Sequence, residues 1–314
     1  MKIAIIGSGN IGGLLGALLT ASGQDVTLVE IRKEVVEAIR NEGIRVDMSD
    51  GQSRHAAVRI TDSIRSVGEV DLVILAVKSN ATLKAAEDAK PIIGKNTWVM
   101  SVQNGAGNVE TLVEVVGDAA RVIGGVFWCV VTPLKATHLS WVVGTGGLKL
   151  GPASGALSPK VEEIAEVFRK AGVSVEHSSR IQDMIWSKVM QNVPMAFGTA
   201  MRMTNDEWLA YPHAKELVLR MARECLAVTN ALGVTLDHPE DPIQPLLDTL
   251  EKFHKSGRKP KCSMLQDLER GRLTEIDAIN GSIVREGKRL GVPTPVNEVM
   301  VMLVKAAEEK FCKP

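Results

Sequence analysis

The chain has 314 residues, with 37 Lys plus Arg set against 37 Asp plus Glu, so its formal net charge is zero. That balance argues against a nucleic-acid binder, which needs a basic face to neutralise phosphates, and an aromatic content of 4 % disfavours ring-lined stacking platforms. Apolar residues make up 45 % and charged residues 24 %, enough for sizeable cores in one large domain or two ordinary ones. Cys129, Cys225, Cys262 and Cys312 are far apart and form no CxxC pair, so neither a zinc site nor a disulfide framework is expected, only thiols in a reducing compartment. No window reaches the roughly 18 uninterrupted apolar residues of a membrane span. The opening MKIAIIGSGN lacks the basic start and long apolar stretch of a signal peptide, and a cytoplasmic protein is expected.

Lys2–Ile6 is a short apolar strand, followed by glycines and an Ala/Leu-rich helix ending near Gly23. Asp25–Glu30 reads as a second strand, Lys33–Asn41 as a helix, and Ile44–Val46 and Ala57–Ile60 as short β stretches around the turn Ser49-Asp50-Gly51. Asp71–Val77 is nearly all apolar, the pattern of a strand buried on both faces. Ala81–Ala89 is helical, Trp98–Val102 a further buried strand and Val109–Val116 a helix. This alternation predicts parallel strands with crossover helices, an α/β doubly wound sheet. Val122–Val131 and Leu139–Leu150 read as added antiparallel strands, Val161–Ala171 as a helix and Val173–Glu176 as a closing strand. Thereafter the chain is almost wholly helical: Asp183–Val193, Glu216–Leu232, Pro245–Phe253, Met264–Arg270, Glu275–Leu290 and Asn297–Lys310. The boundary is placed near residue 178, giving a nucleotide-binding domain over 1–178 and a helical substrate and dimerisation domain over 179–314, with the functional cleft expected between them.

Gly7-Ser8-Gly9-Asn10-Ile11-Gly12 matches G-x-G-x-x-G after a strand and at the start of a helix, the context that makes the pattern a dinucleotide loop. Gly7 permits the tight turn, Gly9 lets the backbone approach a pyrophosphate, and Gly12 lets helix and strand pack closely. Glu30 ends the second strand, 18 residues after Gly12. An acid there accepts from the ribose hydroxyls of NAD and repels the 2′-phosphate of NADP, which favours NAD(H). Arg32 and Lys33 follow directly and could hold that phosphate instead.

Further patterns occur in order: Ala76-Val77-Lys78 and Gln103-Asn104-Gly105 at successive strand ends, and Lys188-x-x-x-Asn192 on a helix. Ser263-Met264-Leu265-Gln266-Asp267 follows, then Gly271-Arg272 and Thr274-Glu275-Ile276-Asp277-x-x-Asn280-Gly281. Together with the glycine loop, this set resembles the ketopantoate reductase family, over nearly the whole chain from Lys2 to about Lys305. The resemblance implies a Rossmann domain followed by an all-helical C-terminal domain, and reduction of a 2-oxo acid with NADPH. It implies Lys188 as general acid, with Glu275 binding substrate and orienting that lysine or the nascent hydroxyl. It further implies Asn104 and Lys78 near nicotinamide and substrate, and Asn192 and Ser263 on substrate polar groups.

The chemistry is consistent with those roles, because ketone reduction leaves negative charge on oxygen, which a nearby cationic donor stabilises and protonates. Lys188 and Asn192, four apart, share a helix face, and Lys78 and Asn104 fall where open α/β sheets bind ligands. Each has a plainer alternative. Lys188 by itself would be a solvated charge, Lys78 a helix cap, Glu275 a first-turn helix acid and Ser263 an N-cap.

Three positions depart from the family pattern. Ala196 and Pro260 stand where polar residues are usual, and Glu30 where the family favours NADPH. Losing hydrogen-bond partners for a substrate hydroxyl changes selectivity strongly. The reading is therefore an NAD(P)H-dependent reductase of a small 2-oxo acid, ketopantoate first among candidates. The alternatives are a related enzyme acting on another 2-oxo or 2-hydroxy acid, an imine-reducing dehydrogenase, or a non-catalytic dinucleotide sensor. Retention of Lys188 favours a carbonyl over an imine, and the presence of Lys188, Asn104 and Glu275 disfavours the sensor. No metal is expected. A homodimer is expected, with Leu217, Val218, Met221, Val301, Leu303 and Val304 supplying apolar surface on two helices.

Overall fold

A computed structural model describes residues 1–142, 147–204, 207–255 and 261–312. The elements in chain order are β1 (Lys2–Ile6), α1 (Asn10–Ala21), β2 (Asp25–Val29), α2 (Lys33–Glu42), β3 (Ile44–Met48), β4 (Ser53–Ala56), β5 (Arg59–Thr61) and β6 (Leu72–Leu75). They continue with α3 (Thr82–Ala89), β7 (Trp98–Ser101), α4 (Asn108–Val116), β8 (Val122–Phe127), β9 (Val130–Lys135), β10 (His138–Val142), β11 (Leu148–Pro152), α5 (Pro159–Lys170) and β12 (Val175–His177). The helical remainder is α6 (Ile181–Asn192), α7 (Met195–Met201), α8 (Pro212–Ala231), α9 (Gln244–Lys255), α10 (Ser263–Glu269), α11 (Asn280–Leu290) and α12 (Pro295–Phe311).

The chain forms two compact units, one of Met1–Gln103 and Asn108–Ile181, the other of Asn104–Gly107 and Gln182–Pro314. In the first, eight strands run in the order β12-β11-β8-β7-β6-β1-β2-β5. From β8 to β5 every neighbouring pair is parallel. Strands β1, β6 and β7 are buried on both faces, which is why Ile3, Ile5, Leu72, Ile74 and Val99 are fully enclosed and read as continuous apolar runs. Strand order reverses at β1, with β2 on one side and β6 on the other, the switch point at which doubly wound sheets bind ligands.

The region expected as two antiparallel additions is rearranged. Val122–Val131 divides into β8, which pairs parallel with β7, and β9; Leu139–Leu150 falls into β10 and β11, with residues 143–146 of that stretch outside the described residues. Only β11 joins the large sheet antiparallel, against β8. Strands β9 and β10 build a separate sheet, β4-β3-β10-β9, which packs on α1 through Ile44, Val46 and Leu139. The apolar content of these segments is the same for either partner, so the local pattern does not reveal which sheet a strand joins.

The second unit is helical. Helix α12 packs against α7, α8, α10 and α11, enclosing Val218, Met221, Cys225, Ile283, Met300 and Val304. Pro295 starts α12, whose first amides at Val296 and Asn297 are capped at 2.9 Å by the Glu224 carboxylate from α8. Val218, Met221 and Val304, expected to supply dimer surface, are core residues, whereas Leu303 is 50 % exposed beside Val299 and Met302. Helix α7, absent from the sequence reading, follows Pro194 and ends at the left-handed Arg202 (φ 56°). Helix α11 begins at Asn280 rather than Glu275; residues 275–279 form a turn in which Ala278 N and Ile279 N donate to the Glu275 carbonyl.

Candidate active site

In the first unit the Gly7–Gly12 segment links β1 to α1. Gly7 has φ +96° and donates its amide to the Val29 carbonyl at 2.8 Å, and a Cβ there would fall 2.9 Å from Val77 Cγ1. A Cβ at Gly12 would strike the Gly7 carbonyl oxygen. Gly9 differs: it caps α1 with no side-chain hydrogen bond, and no atom lies within 4 Å of where its Cβ would be. Two glycines thus permit close packing and the third opens the loop at the positive end of a helix dipole, so the residues present fit a dinucleotide pyrophosphate. Asn10 also donates to the Val131 carbonyl of β9 at 3.5 Å, tying the loop to the smaller sheet.

Glu30 follows β2, only 6 % exposed. Its carboxylate accepts from Ser8 Oγ at 2.6 Å, from Arg32 Nε at 3.0 Å and Nη2 at 2.9 Å, and from the Arg32 amide at 3.1 Å. Burial alone would raise its pKa, but the hydrogen bonds from Arg32 and Ser8 outweigh it and hold the group down at about 2. Glu30 and Arg32, read as alternatives in the sequence, are a bonded pair, and Ser8 contributes its hydroxyl as well as its place in the loop.

Lys78 is half-buried just beyond β6 in extended backbone (φ −64°, ψ 146°) and makes no side-chain cap to the short 3-10 turn that follows. Gln103, given no role from sequence, donates its side-chain amide to the Val77 carbonyl at 3.0 Å and to Thr82 Oγ1 at 2.8 Å, fixing the chain next to Lys78. Its place at the head of Gln103-Asn104-Gly105 was the available signal.

Asn104–Gly107 leaves β7 but belongs by its contacts to the helical unit. Ala106 N donates to the Ala278 carbonyl at 2.9 Å, Arg285 reaches the Ala106 carbonyl at 3.3 Å, and the Asn104 amide donates to Glu275 Oε2 at 3.3 Å. Gly105, at φ +86°, lies so close that a Cβ would come within 2.5 Å of Ala278 Cβ. Glu275 is 4 % exposed and lies in a turn, so the reading of it as a first-turn helix acid is replaced.

Lys188 and Asn192 lie one turn apart on α6, Lys188 half-buried and Asn192 7 % exposed. The helix is fastened by Asp183, accepting from Thr235 N at 3.2 Å, and by Ser187, accepting from Asp237 N at 2.8 Å. Past its end, the Val193 carbonyl accepts from Asn280 Nδ2 at 3.2 Å, which links α6 to the start of α11. Ser263 is not the N-cap of α10: Cys262 is, its thiol accepting from Leu265 N, while the half-buried Ser263 hydroxyl lies 3.9 Å from Met195 Sδ. Met195 is thus the α7 residue beside Ser263, whereas Ala196 is fully buried. Pro260 lies outside the described residues. Among the described residues no group of three or more His, Cys, Asp or Glu could hold a metal, and no helix is long and apolar enough to cross a membrane.

A doubly wound sheet with an open glycine loop at its switch point, followed by a helical unit, defines the chain's class as a dinucleotide-binding protein. Residues 3–155 match the model of the ketopantoate reductase PanE/ApbA family, and residues 180–308 match that of its C-terminal region. The 2-dehydropantoate 2-reductase of Pyrococcus horikoshii is 33 % identical over 309 residues, covering 98 % of each chain. A PanE/ApbA family ketopantoate reductase from Ralstonia eutropha JMP134 superposes with a TM-score of 0.87 at 30 % identity, over 99 % of each chain. D-mandelate dehydrogenase, solved with NADH and anilino(oxo)acetate, gives a TM-score of 0.88 at 26 % identity, again over 99 % of each chain. The chain belongs to the ketopantoate reductase family, whose members are oxidoreductases that use a nicotinamide cofactor.

Proposed function

We propose that this chain reduces a small 2-oxo acid to the 2-hydroxy acid, with ketopantoate to pantoate as the leading reaction. The observation that carries the reading is the Asn104–Glu275 hydrogen bond, which joins two of the separated motifs in the same unit as Lys188 and Asn192. Residues 1–178 would bind the cofactor, through Gly7, Ser8, Gly9, Asn10, Ile11 and Gly12 at the pyrophosphate, Glu30 and Arg32 at the adenosine ribose, and Lys78 and Asn104 toward the nicotinamide. Residues 179–314 would bind substrate. Reduced nicotinamide, when bound, supplies the hydride that adds to C2 of the oxo acid.

Lys188 donates its Nζ proton to the carbonyl oxygen as negative charge develops there, and its positive charge stabilises that oxygen beforehand. Glu275, oriented by Asn104, accepts from the substrate or from Lys188 and so sets the direction of the donated proton. Asn192 and Ser263 hold the remaining polar groups of the substrate. Glu30 favours NAD(H), because a carboxylate at the β2 end repels a 2′-phosphate, while the bonded Arg32 softens that repulsion. The exposed stripe of Val299, Met302 and Leu303 on α12 supports pairing of two copies.

A second reading is a substrate with a bulkier apolar group on C2. It is supported by the thioether of Met195 beside Ser263 and by the likeness to D-mandelate dehydrogenase. Initial rates with NADH and NADPH against ketopantoate and an aryl 2-oxo acid separate the two. Faster turnover of ketopantoate upholds the first reading, faster turnover of the aryl acid the second, and no turnover of either refutes both.

A further inference from the structure

We propose that Glu308 on α12 is a positioning residue that fixes the turn carrying Glu275, an inference that rests on the role given to Glu275 above. Glu308 is 4 % exposed and faces a helical core in which Met300 and Val304 precede it on the same helix. A carboxylate there costs desolvation that an apolar side chain would avoid, so its presence calls for specific partners.

Those partners lie on one short segment. Glu308 Oε1 accepts from both the amide and the hydroxyl of Thr274, each at 2.6 Å, and Thr274 Oγ1 in turn accepts from Ile276 N at 3.2 Å. One turn earlier on α12, Lys305 pairs with Asp277 and lies 3.6 Å from Glu308 Oε2. Thr274 precedes Glu275 and Asp277 follows it by two, so both flanks of Glu275 are tied to a single turn of α12. The segment gains no rigidity from a helix, because α11 starts only at Asn280. The clamp supplies what regular structure does not, holding the Glu275 backbone while its side chain receives the Asn104 hydrogen bond.

The test is a double-mutant cycle on the full-length enzyme, reading kcat and KM for oxo-acid reduction and Kd for the nicotinamide cofactor. Glu308→Ala is expected to lower kcat by about 10- to 100-fold, the scale of a small misplacement of a reacting group, with cofactor Kd unchanged. Glu308→Gln keeps an oxygen acceptor for both Thr274 donors and is expected to recover most of the loss. In a Glu275→Gln background the same Glu308→Ala change should cost less than about 3-fold, since there is no longer a carboxylate to position. Thr274→Val, which removes one donor at constant size, carries the same cycle if Glu308→Ala fails to fold. Equal losses in both backgrounds, or wild-type kcat in Glu308→Ala, overturn the clamp. If Glu275→Gln is impaired but the cycle shows no coupling, the clamp alone falls; an unimpaired Glu275→Gln overturns the role of Glu275 and the clamp with it.

Discussion

The side-chain amide of Asn104 donates to Glu275 Oε2 at 3.3 Å, although the two residues are 171 positions apart. Asn104 comes from the loop after the sheet strand β7 and Glu275 from a turn ahead of α11. The contact exists because Asn104–Gly107 is built into the helical unit, held by Ala278 and Arg285. A residue at a strand end and an acid in the helical half are thereby hydrogen-bonded neighbours.

Gly105 makes that arrangement possible. Its φ of +86° is strained for any residue with a side chain, and a Cβ would crowd Ala278. Gly105→Ala is expected to destabilise the protein by about 1–3 kcal/mol and to lower kcat by moving Asn104. Urea unfolding and steady-state rates on the same preparation check both effects.

Lys188→Ala should lower turnover by roughly 10²–10⁴-fold, the usual span for loss of a general acid. Cofactor affinity, followed by nicotinamide fluorescence, should stay near the wild-type value. Unchanged turnover would show that the proton comes from another group.

The Glu30–Arg32 pair should govern the choice of cofactor. Arg32→Ala leaves the carboxylate without its counter-charge, and the ratio of kcat/KM for NADPH to that for NADH should drop by about 10-fold, the scale of one charge-assisted hydrogen bond. Glu30→Gln should move the same ratio upward. Parallel rate measurements with the two cofactors decide the point.

Glu30 also has a consequence for acid stability. Its pKa is lowered from 4.5 to about 2 in the folded protein, so it contributes stability above its unfolded value, and that contribution fades as pH falls from about 5 toward 2. The amount is on the order of 3 kcal/mol. Wild type should be more stable than Glu30→Gln in urea at pH 7, and the gap between their midpoints should narrow by about half at pH 3.

Several parts of the molecule were legible from local pattern. The G-x-G-x-x-G loop after β1, the buried runs of β6 and β7, and most helices of the second half follow from glycine placement and apolar spacing, which depend on residues near in sequence. The strands between 122 and 152 are not assignable from local pattern, because apolar composition does not show which sheet receives a strand: β8 is wholly buried and β9 mostly exposed although both begin with β-branched apolar residues. Helix α7 has only seven residues, with Pro194 at its N-cap and Gly198 inside it, and so carries no helical period that local pattern could reveal. Glu275–Ile279 has helical composition and local pattern extends α11 over it, whereas Glu308 and Lys305 hold that stretch as a turn and the helix begins at Asn280.

By itself the sequence determined the fold class, the dinucleotide loop and the residue types available for chemistry, since each depends on short-range spacing and backbone freedom. Only the tertiary structure decided that Glu30 and Arg32 are bonded to each other, that Asn104 serves the helical unit, that Met195 rather than Ala196 adjoins Ser263, and that Glu308 braces the turn before α11. These are contacts between residues distant along the chain. They form because the burial of each apolar face selects its partner, and no local pattern encodes that choice.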